Sequence, residues 1–448
     1  MITKLVITLL ICLILFLILD RNLIKGVSVL VFLITFDIID PIGSLWGVPA
    51  KFFTSTIFIV VAYITLFKRN LIIFNNKILS DNYKIAFLLV WGFSIGLIYI
   101  GEMPTVDQYT ISTLNISPLN QLIINFVNGI VLLLFLQILY IGTPNLQSLL
   151  KHIEWFCYSI FLHLLNPLVF FINGKTIYQW MGDAPDPMSS IRIGGLFFNF
   201  EFTTDYVLIV IIFSLILLFF NKRLPLLYIF LAMVLGLLTG SRSFLILLLI
   251  QSAAIILFIG NYSRKFRFSF LIITVFVFGI LFYLNQRYSS EIVVLNHLNK
   301  SFASFEDKDV DEALNRPYED SWDILARTPI TGFGNFNHII SFKSLITSHF
   351  LLLHIYVKFG IIGILIFLWI YFRDIAKLFL LQAHKKIRYT KYLLIILLII
   401  LFLQNLKISF IRYSTTIYIY GFIYFIIQFF LHSNRQCKSI LKRKIASL

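Results

Sequence analysis

The sequence predicts an all-α membrane protein with about 12 or 13 transmembrane helices and one large polar loop. Hydrophobic residues make up 59% of the 448 residues and charged residues only 13%, far from the composition of a soluble domain. Apolar runs of about 17–22 residues recur along the chain, and that length lets a helix cross the hydrocarbon core. The runs also lack the alternation of apolar and polar residues that is typical of membrane β-strands. A polytopic helical membrane protein follows.

Thirteen apolar runs are expected to form helices, with 12 as the alternative because the first three are short. The first run follows Lys4 without a small-residue cleavage site, so we interpret it as an anchor rather than a signal peptide. In chain order the runs cover about 5–19, 23–39, 52–67, 84–100, 121–141, 153–172, 203–220, 224–239, 243–260, 269–284, 349–371, 391–408 and 414–432.

Lysine and arginine divide the connectors into two alternating sets, which predicts the topology. The base-poor connectors, expected on the outer side, are 101–120, 173–202 and 285–348. The base-rich connectors, expected in the cytoplasm, lie near 68–84, 222–223, 264–267 and 373–391 and in the C-terminal tail. The positive-inside rule therefore explains the net charge of +16, and no nucleic acid is expected as a partner.

We expect a single integral membrane domain over 1–448, with 285–348 as its large extracytoplasmic loop. This loop holds nine acidic and six basic residues, so its net charge is −3 in a basic chain. Pro317 to Arg327 has the end signals of a short helix, with Pro at the start and Arg at the end. Pro329 ends it, and Gly332-Phe-Gly334 predicts a tight turn. The loop is therefore predicted to be folded, as an enzyme working at the outer face would require.

Two arginines beside glycines could bind a phosphate. Arg192 precedes Gly194 and Gly195 just before a membrane helix, where a guanidinium can offer two parallel donors to an anion. An interfacial anchor is the alternative for Arg192. Arg242 lies in a short turn in which Ser241 can cap the next helix, and the start of that helix together with Arg242 favours an anion. A tight hairpin would need these turn residues even without a ligand.

Three further residues belong to the large loop. Arg287 and Arg316 are cations in an acidic loop, for which ordinary surface ion pairs are the simplest interpretation. His349 ends the loop at the depth of lipid headgroups, where a neutral imidazole can accept a proton from a sugar hydroxyl or serve as an interfacial polar residue. His354 and Lys358, further along the same apolar run, are expected to pack or to extend toward the membrane surface.

No metal site and no cofactor are expected. The Cys and His residues lack zinc-ligand spacing, and no Gly-rich loop followed by Lys-Ser/Thr is present to hold a nucleotide. Any substrate must therefore already lie in the membrane.

Three motifs resemble the O-antigen polymerase and O-antigen ligase family of bacterial surface-polysaccharide enzymes. Arg192-Ile-Gly-Gly-Leu-Phe-Phe-Asn199 resembles the segment that precedes a membrane helix in that family, with Phe200 in place of the usual proline. Thr239-Gly-Ser-Arg242 resembles its Thr-x-Ser-Arg turn. Arg316 with Trp322, Pro329, Gly332 and Gly334, followed by His349, Gly360 and Gly363, resembles its large loop and the next helix. The resemblance covers about residues 185–370.

The resemblance implies metal-independent glycosyl transfer from an undecaprenyl-diphosphate-linked oligosaccharide. Arg192 and Arg316 would bind the diphosphate and stabilise its leaving charge, with Arg287 and Arg242 as further candidates. His349 would act as general base. The implied location is the bacterial inner membrane, with the active site on the periplasmic side. Membrane lipids, a chain-length regulator and a flippase would be partners.

Three functions remain open from the sequence. The first is a polymerase that joins lipid-linked repeat units into O-antigen or a similar surface polysaccharide. The second is a ligase that moves the glycan onto lipid A-core; Phe350 departs from the Asn, Ser or Gln that often follows the histidine in ligases. The third, from another class, is a flippase or transporter, which would place its cations in a central membrane cavity rather than build an acidic outer loop.

Overall fold

The computed structural model confirms the all-helical class: one α-helix lies at each of the thirteen predicted apolar runs. The helices are α1 (Ile2–Arg21), α2 (Leu23–Leu33), α3 (Thr54–Lys68), α4 (Asn76–Ile98), α5 (Pro118–Gly142), α6 (Leu146–His163), α7 (Phe200–Phe219), α8 (Pro225–Leu237), α9 (Arg242–Ile259), α10 (Arg264–Tyr288), α11 (Leu351–Leu380), α12 (Lys385–Lys407) and α13 (Thr416–Ala446). Two short strands, β1 (Ile340–Ser341) and β2 (Ser344–Leu345), pair antiparallel within the large loop.

The structure describes most of the helical residues and part of the large loop. The described residues are 2–35, 54–71, 76–102, 118–166, 168–169, 200–220, 225–237, 242–259, 264–288, 325–326, 328–336, 340–341, 344–345, 351–381, 385–407 and 416–446.

Local sequence explains several of the helix ends. Helices α5 and α8 begin at Pro118 and Pro225, because proline suits the first helical position, where its missing N–H leaves no bond unmade. Asn22 caps α2 by accepting a hydrogen bond from the Lys25 N–H at 3.0 Å. Arg69 donates to the Leu19 carbonyl at 2.8 Å and so satisfies a group near the end of α1. These signals fix boundaries that the apolar runs alone left uncertain.

Three described helices are long and apolar enough to cross a membrane: Pro118–Gly142, Leu351–Leu380 and Lys386–Asn405. Seven further helices are apolar but shorter over the residues that the structure describes. The class of helical membrane protein is thus confirmed, whereas a crossing by each of the thirteen helices stays a prediction.

The chain divides into two compact units. The first comprises residues 1–152, 315–373 and 405–426, and the second comprises 153–314, 374–404 and 427–448. In the first unit α1, α2 and α3 pack on one another, α5 contacts α2 and α3, and α4 packs along α5. The prediction of a single membrane domain stays a prediction.

The second unit is built around α7. This helix packs against α8 and α9, and both of these contact α10. The α7 side chains from Tyr206 to Ile216 are all buried, which fits a helix that is apolar around its whole circumference. Gln251 of α9 donates to the Leu208 carbonyl of α7 at 2.9 Å and ties the two helices together.

Candidate functional site

The structure describes part of the predicted site. Arg192, Arg316 and His349 lie outside the described residues, so their roles stay predictions. Arg242 is the first residue of α9, in agreement with the predicted helix start. Residues 238–241 of the predicted turn lie outside the described residues. Within the described part of the chain, no group of three or more His, Cys, Asp or Glu side chains could hold a metal ion.

Arg287 lies at the boundary between α10 and the large loop. The loop was predicted to begin at residue 285, and the α10 backbone continues to Tyr288, so Arg287 belongs to the last turn of that helix. The apolar run therefore ends before the helix does. The role of Arg287 stays a prediction.

Within the large loop, the segment Pro329–Phe336 forms a turn that we call the docked turn. The Gly332 N–H donates to the Pro329 carbonyl at 2.8 Å, and the Phe336 N–H donates to the Gly334 carbonyl at 2.8 Å. Gly332 and Gly334 have φ angles of +77° and +110°, which side chains with a Cβ rarely adopt. The tight turn predicted from these glycines is confirmed.

The docked turn provides hydrogen-bond partners for helix α11 where that helix is broken. Gly360 of α11 has φ +66° and ψ −162°, a conformation that interrupts the helical ladder of hydrogen bonds. The Ile361 N–H therefore donates to the Ile330 carbonyl of the turn at 2.9 Å instead of to its own helix. In the opposite direction, the Phe333 N–H donates to the Val357 carbonyl at 2.8 Å.

Two more donors satisfy the carbonyl groups released by this break. The Gly334 N–H bonds the Lys358 carbonyl at 3.1 Å, and the indole N–H of Trp91 on α4 bonds the Phe359 carbonyl at 3.1 Å. Within a membrane, backbone groups without partners cost several kcal/mol each, so irregular backbone is tolerated only where protein satisfies it. The loop and the break in α11 therefore form one structural feature.

Helix α4 supplies the surface on which the turn rests. A Cβ on Gly334 would collide with the backbone of Gly96, and the Asn335 N–H donates to the Gly92 carbonyl at 3.1 Å. Gly92 and Gly96 are four residues apart on one helical face, and two small residues at this spacing let backbones approach closely. The loop backbone thus packs directly against the apolar helix α4.

Side chains of α4 and α5 also hold the turn. Asn125 of α5 donates from Nδ2 to the Asn335 carbonyl at 2.6 Å. Tyr99, just beyond α4, packs edge-on against Phe333 with ring centroids 5.5 Å apart. The turn is therefore fixed on three sides, by α4, α5 and α11, at the ends of these helices that the lysine and arginine counts assign to the outer side.

Two ionisable side chains of α11 are buried beside the docked turn. Lys358 is only 2% exposed, and His354, one helical turn nearer the loop, is 8% exposed. Positions four apart on a helix share a face. Lys358 therefore points into the protein and is packed, one of the two alternatives expected from the sequence. Burial of an ammonium group costs free energy unless an anion is paired with it, so the surroundings of Lys358 are relevant to function.

Sequence reasoning missed the residues that receive the loop. The Gly92-x3-Gly96 pair was the available signal, because such spacing in an apolar helix marks a close contact. Trp91 and Asn125 carry no comparable pattern, since each is a single residue whose partner lies more than two hundred positions away. Their roles depend on the fold.

These observations define a class: a helical membrane protein whose large polar loop is hydrogen-bonded into its membrane helices. A protein-family model described as Wzy_C, O-antigen ligase, matches residues 227–368. The match confirms the resemblance to the O-antigen polymerase and ligase family that the motifs indicated. The matched segment contains Arg242, Arg287, Arg316, the docked turn and His349, but not Arg192.

The family covers polymerase-type and ligase-type proteins, so the match indicates a membrane glycosyltransferase-like enzyme of surface-polysaccharide synthesis. No curated protein matches the chain significantly.

Proposed function

We propose that the protein is a polymerase that joins undecaprenyl-diphosphate-linked oligosaccharide repeat units at the outer face of the bacterial inner membrane. The observation that carries the proposal is the docked turn within the family-matched segment. A loop fixed to three membrane helices can hold polar groups at a constant height above a donor anchored in lipid. Correct placement of reacting groups supplies much of the rate enhancement in transfer reactions.

The chemistry rests on the residues that the motifs single out. The hydroxyl oxygen of one repeat unit attacks the anomeric carbon of another while His349 accepts the hydroxyl proton. The bond from that carbon to the phosphate oxygen breaks, and undecaprenyl diphosphate leaves with the electron pair. Arg192 and Arg316 stabilise the charge that develops on this leaving group, with Arg287 and Arg242 as further candidates. No metal ion takes part in the proposed step.

Polymerase is preferred to ligase because Phe350 follows His349. The resemblance to ligases would favour Asn, Ser or Gln there, as a polar neighbour of the base. A chain-length regulator and a flippase remain proposed partner proteins.

Among the described residues, the broken helix α11 is a feature that favours a transporter, because many transporters bind substrates at discontinuous membrane helices. The backbone groups released at Gly360, however, are bonded by Ile330, Phe333, Gly334 and Trp91. The break therefore holds the loop in place, and its backbone groups are not left to coordinate an ion.

The test uses purified protein and two separate acceptors, lipid-linked repeat units and lipid A-core. The mixture contains a chelator and no nucleotide, and products are resolved by length. Longer lipid-linked chains support the polymerase. Transfer to lipid A-core alone supports the ligase and contradicts the proposal. No transfer, together with lipid-linked glycan movement across liposomes, supports the transporter.

A further inference from the structure

Lys358 is a buried ionisable residue with no role in the chemistry proposed above. It lies seven residues after Leu351, so its Cα is about 10 Å along α11 from the helix start at a rise of 1.5 Å per residue. Its side chain is 2% exposed and thus turned away from lipid. An ionisable residue inside a membrane helix that faces the protein interior generally marks a functional site.

The described surroundings of Lys358 provide no counter-charge. Among the residues that the structure describes, none forms an ion pair or a hydrogen bond with the Lys358 ammonium group. Burial of an ammonium without a partner costs considerable free energy. In its charged form, a lysine under these conditions needs an anion, either from a bound molecule or from one of the loop carboxylates.

Helix geometry brings the ammonium group closer to the loop than its own Cα. Side chains on a helix lean toward the N-terminal end, and in α11 that end follows the large loop. The hydrogen bond from Gly334 to the Lys358 carbonyl fixes the helix at this residue. The ammonium group is therefore expected just below the headgroup level, next to the docked turn.

We infer that Lys358 is a binding residue for the diphosphate of the lipid-linked donor. This inference rests on the proposed function. A lipid-linked diphosphate lies where the hydrocarbon meets the headgroups, within reach of a lysine at this depth, and lysine binds phosphate as a point charge. The stability lost by burying an unpaired ammonium is then recovered when the donor binds. A loop carboxylate such as Asp323 is the rival partner.

The test compares Lys358→Met with Lys377→Met, the same substitution near the opposite end of α11. Two lipids serve as probes: undecaprenyl diphosphate without sugar, and undecaprenol, which has the same chain and no phosphate. Affinity for each lipid is measured on purified protein in detergent, and Tm is measured without lipid. Undecaprenol controls for damage to the lipid-binding surface, because it lacks the group that Lys358 is inferred to bind.

Lys358→Met should weaken binding of undecaprenyl diphosphate by about 10- to 100-fold, the range for one charge-assisted contact. Undecaprenol affinity and the Lys377→Met variant should stay within about twofold of wild type, well below the effect of one such contact. The Tm of Lys358→Met should stay the same or rise, because an unpaired buried charge has been removed.

The inference is overturned if Lys358→Met keeps the preference for the diphosphate. A lower Tm of Lys358→Met in that case identifies a loop carboxylate as the partner of Lys358, because the substitution would leave the charge of that carboxylate unpaired. The inference is also overturned if Lys358→Met weakens the binding of both lipids equally. If wild type itself shows no preference for the diphosphate, the proposed donor is wrong, and this outcome is distinct from failure at Lys358 alone.

Discussion

At the scale of single residues, the protein combines positions that need glycine with positions that need particular donors. Gly360 adopts a φ of +66°, and a Cβ there would collide with the Ile330 carbonyl and with Thr331. Trp91 and Asn125 each donate one hydrogen bond that the loop or the broken helix requires. Both hydrogen bonds go to backbone carbonyl groups, so we interpret Trp91 and Asn125 as positioning residues.

The first prediction concerns the predicted arginines. Arg316→Lys and Arg192→Lys should each lower turnover by about 10- to 100-fold, because a point charge does not replace the two parallel hydrogen bonds of a guanidinium. Rates of chain extension by purified protein measure the effect. Arg327→Lys, in the same loop as Arg316 but outside the predicted site, is the control and should keep its activity. Wild-type rates for both test variants would contradict the diphosphate role.

At the scale of elements, α11 and the docked turn depend on each other. The break at Gly360 releases backbone groups, and the turn bonds most of them while Trp91 bonds the Phe359 carbonyl. The turn is itself held by a hydrogen bond to α4. We therefore expect the outer end of α11 and the end of the loop to form and to loosen together.

Gly360→Ala tests this dependence. Strain from the positive φ should cost about 1–3 kcal/mol, and the collision with the turn adds to it, so both Tm and activity should fall. Gly279→Ala is the matched control, because Gly279 is also a glycine within a helix but has no neighbouring atom within 4 Å of an added Cβ. The control should be neutral or slightly stabilising. Equal Tm values for the two variants would show that the break does not hold the turn.

At the scale of the whole molecule, composition and periodicity predicted the class well. Each predicted apolar run has its helix, because a membrane helix satisfies its own backbone and is recognisable from local sequence. Contacts across large sequence separations could not be predicted in this way. The Gly332 and Gly334 turn was predicted from local signals. Its partners Gly92 and Asn125 were not, and neither was Trp91, which bonds the broken helix at Phe359.

The predicted topology can be tested by labelling one introduced cysteine and one native cysteine. Ser301→Cys in the large loop should react with a membrane-impermeant maleimide in intact spheroplasts. Cys437, in the basic C-terminal tail, should react only after permeabilisation and serves as the internal control. Cys12 and Cys157 are buried and should contribute little background. Labelling of Ser301→Cys only after permeabilisation would reverse the proposed sidedness.

The central claim is that the protein extends lipid-linked glycans with a base carried at the end of its large loop. The most direct measurement compares length-resolved products of purified wild type and His349→Ala, given lipid-linked repeat units, a chelator and no nucleotide. Wild type should produce longer lipid-linked chains. His349→Ala should be slower by about 100- to 10,000-fold while its affinity for undecaprenyl diphosphate is retained. Absence of extension by wild type, or equal rates for the two proteins, would contradict the claim.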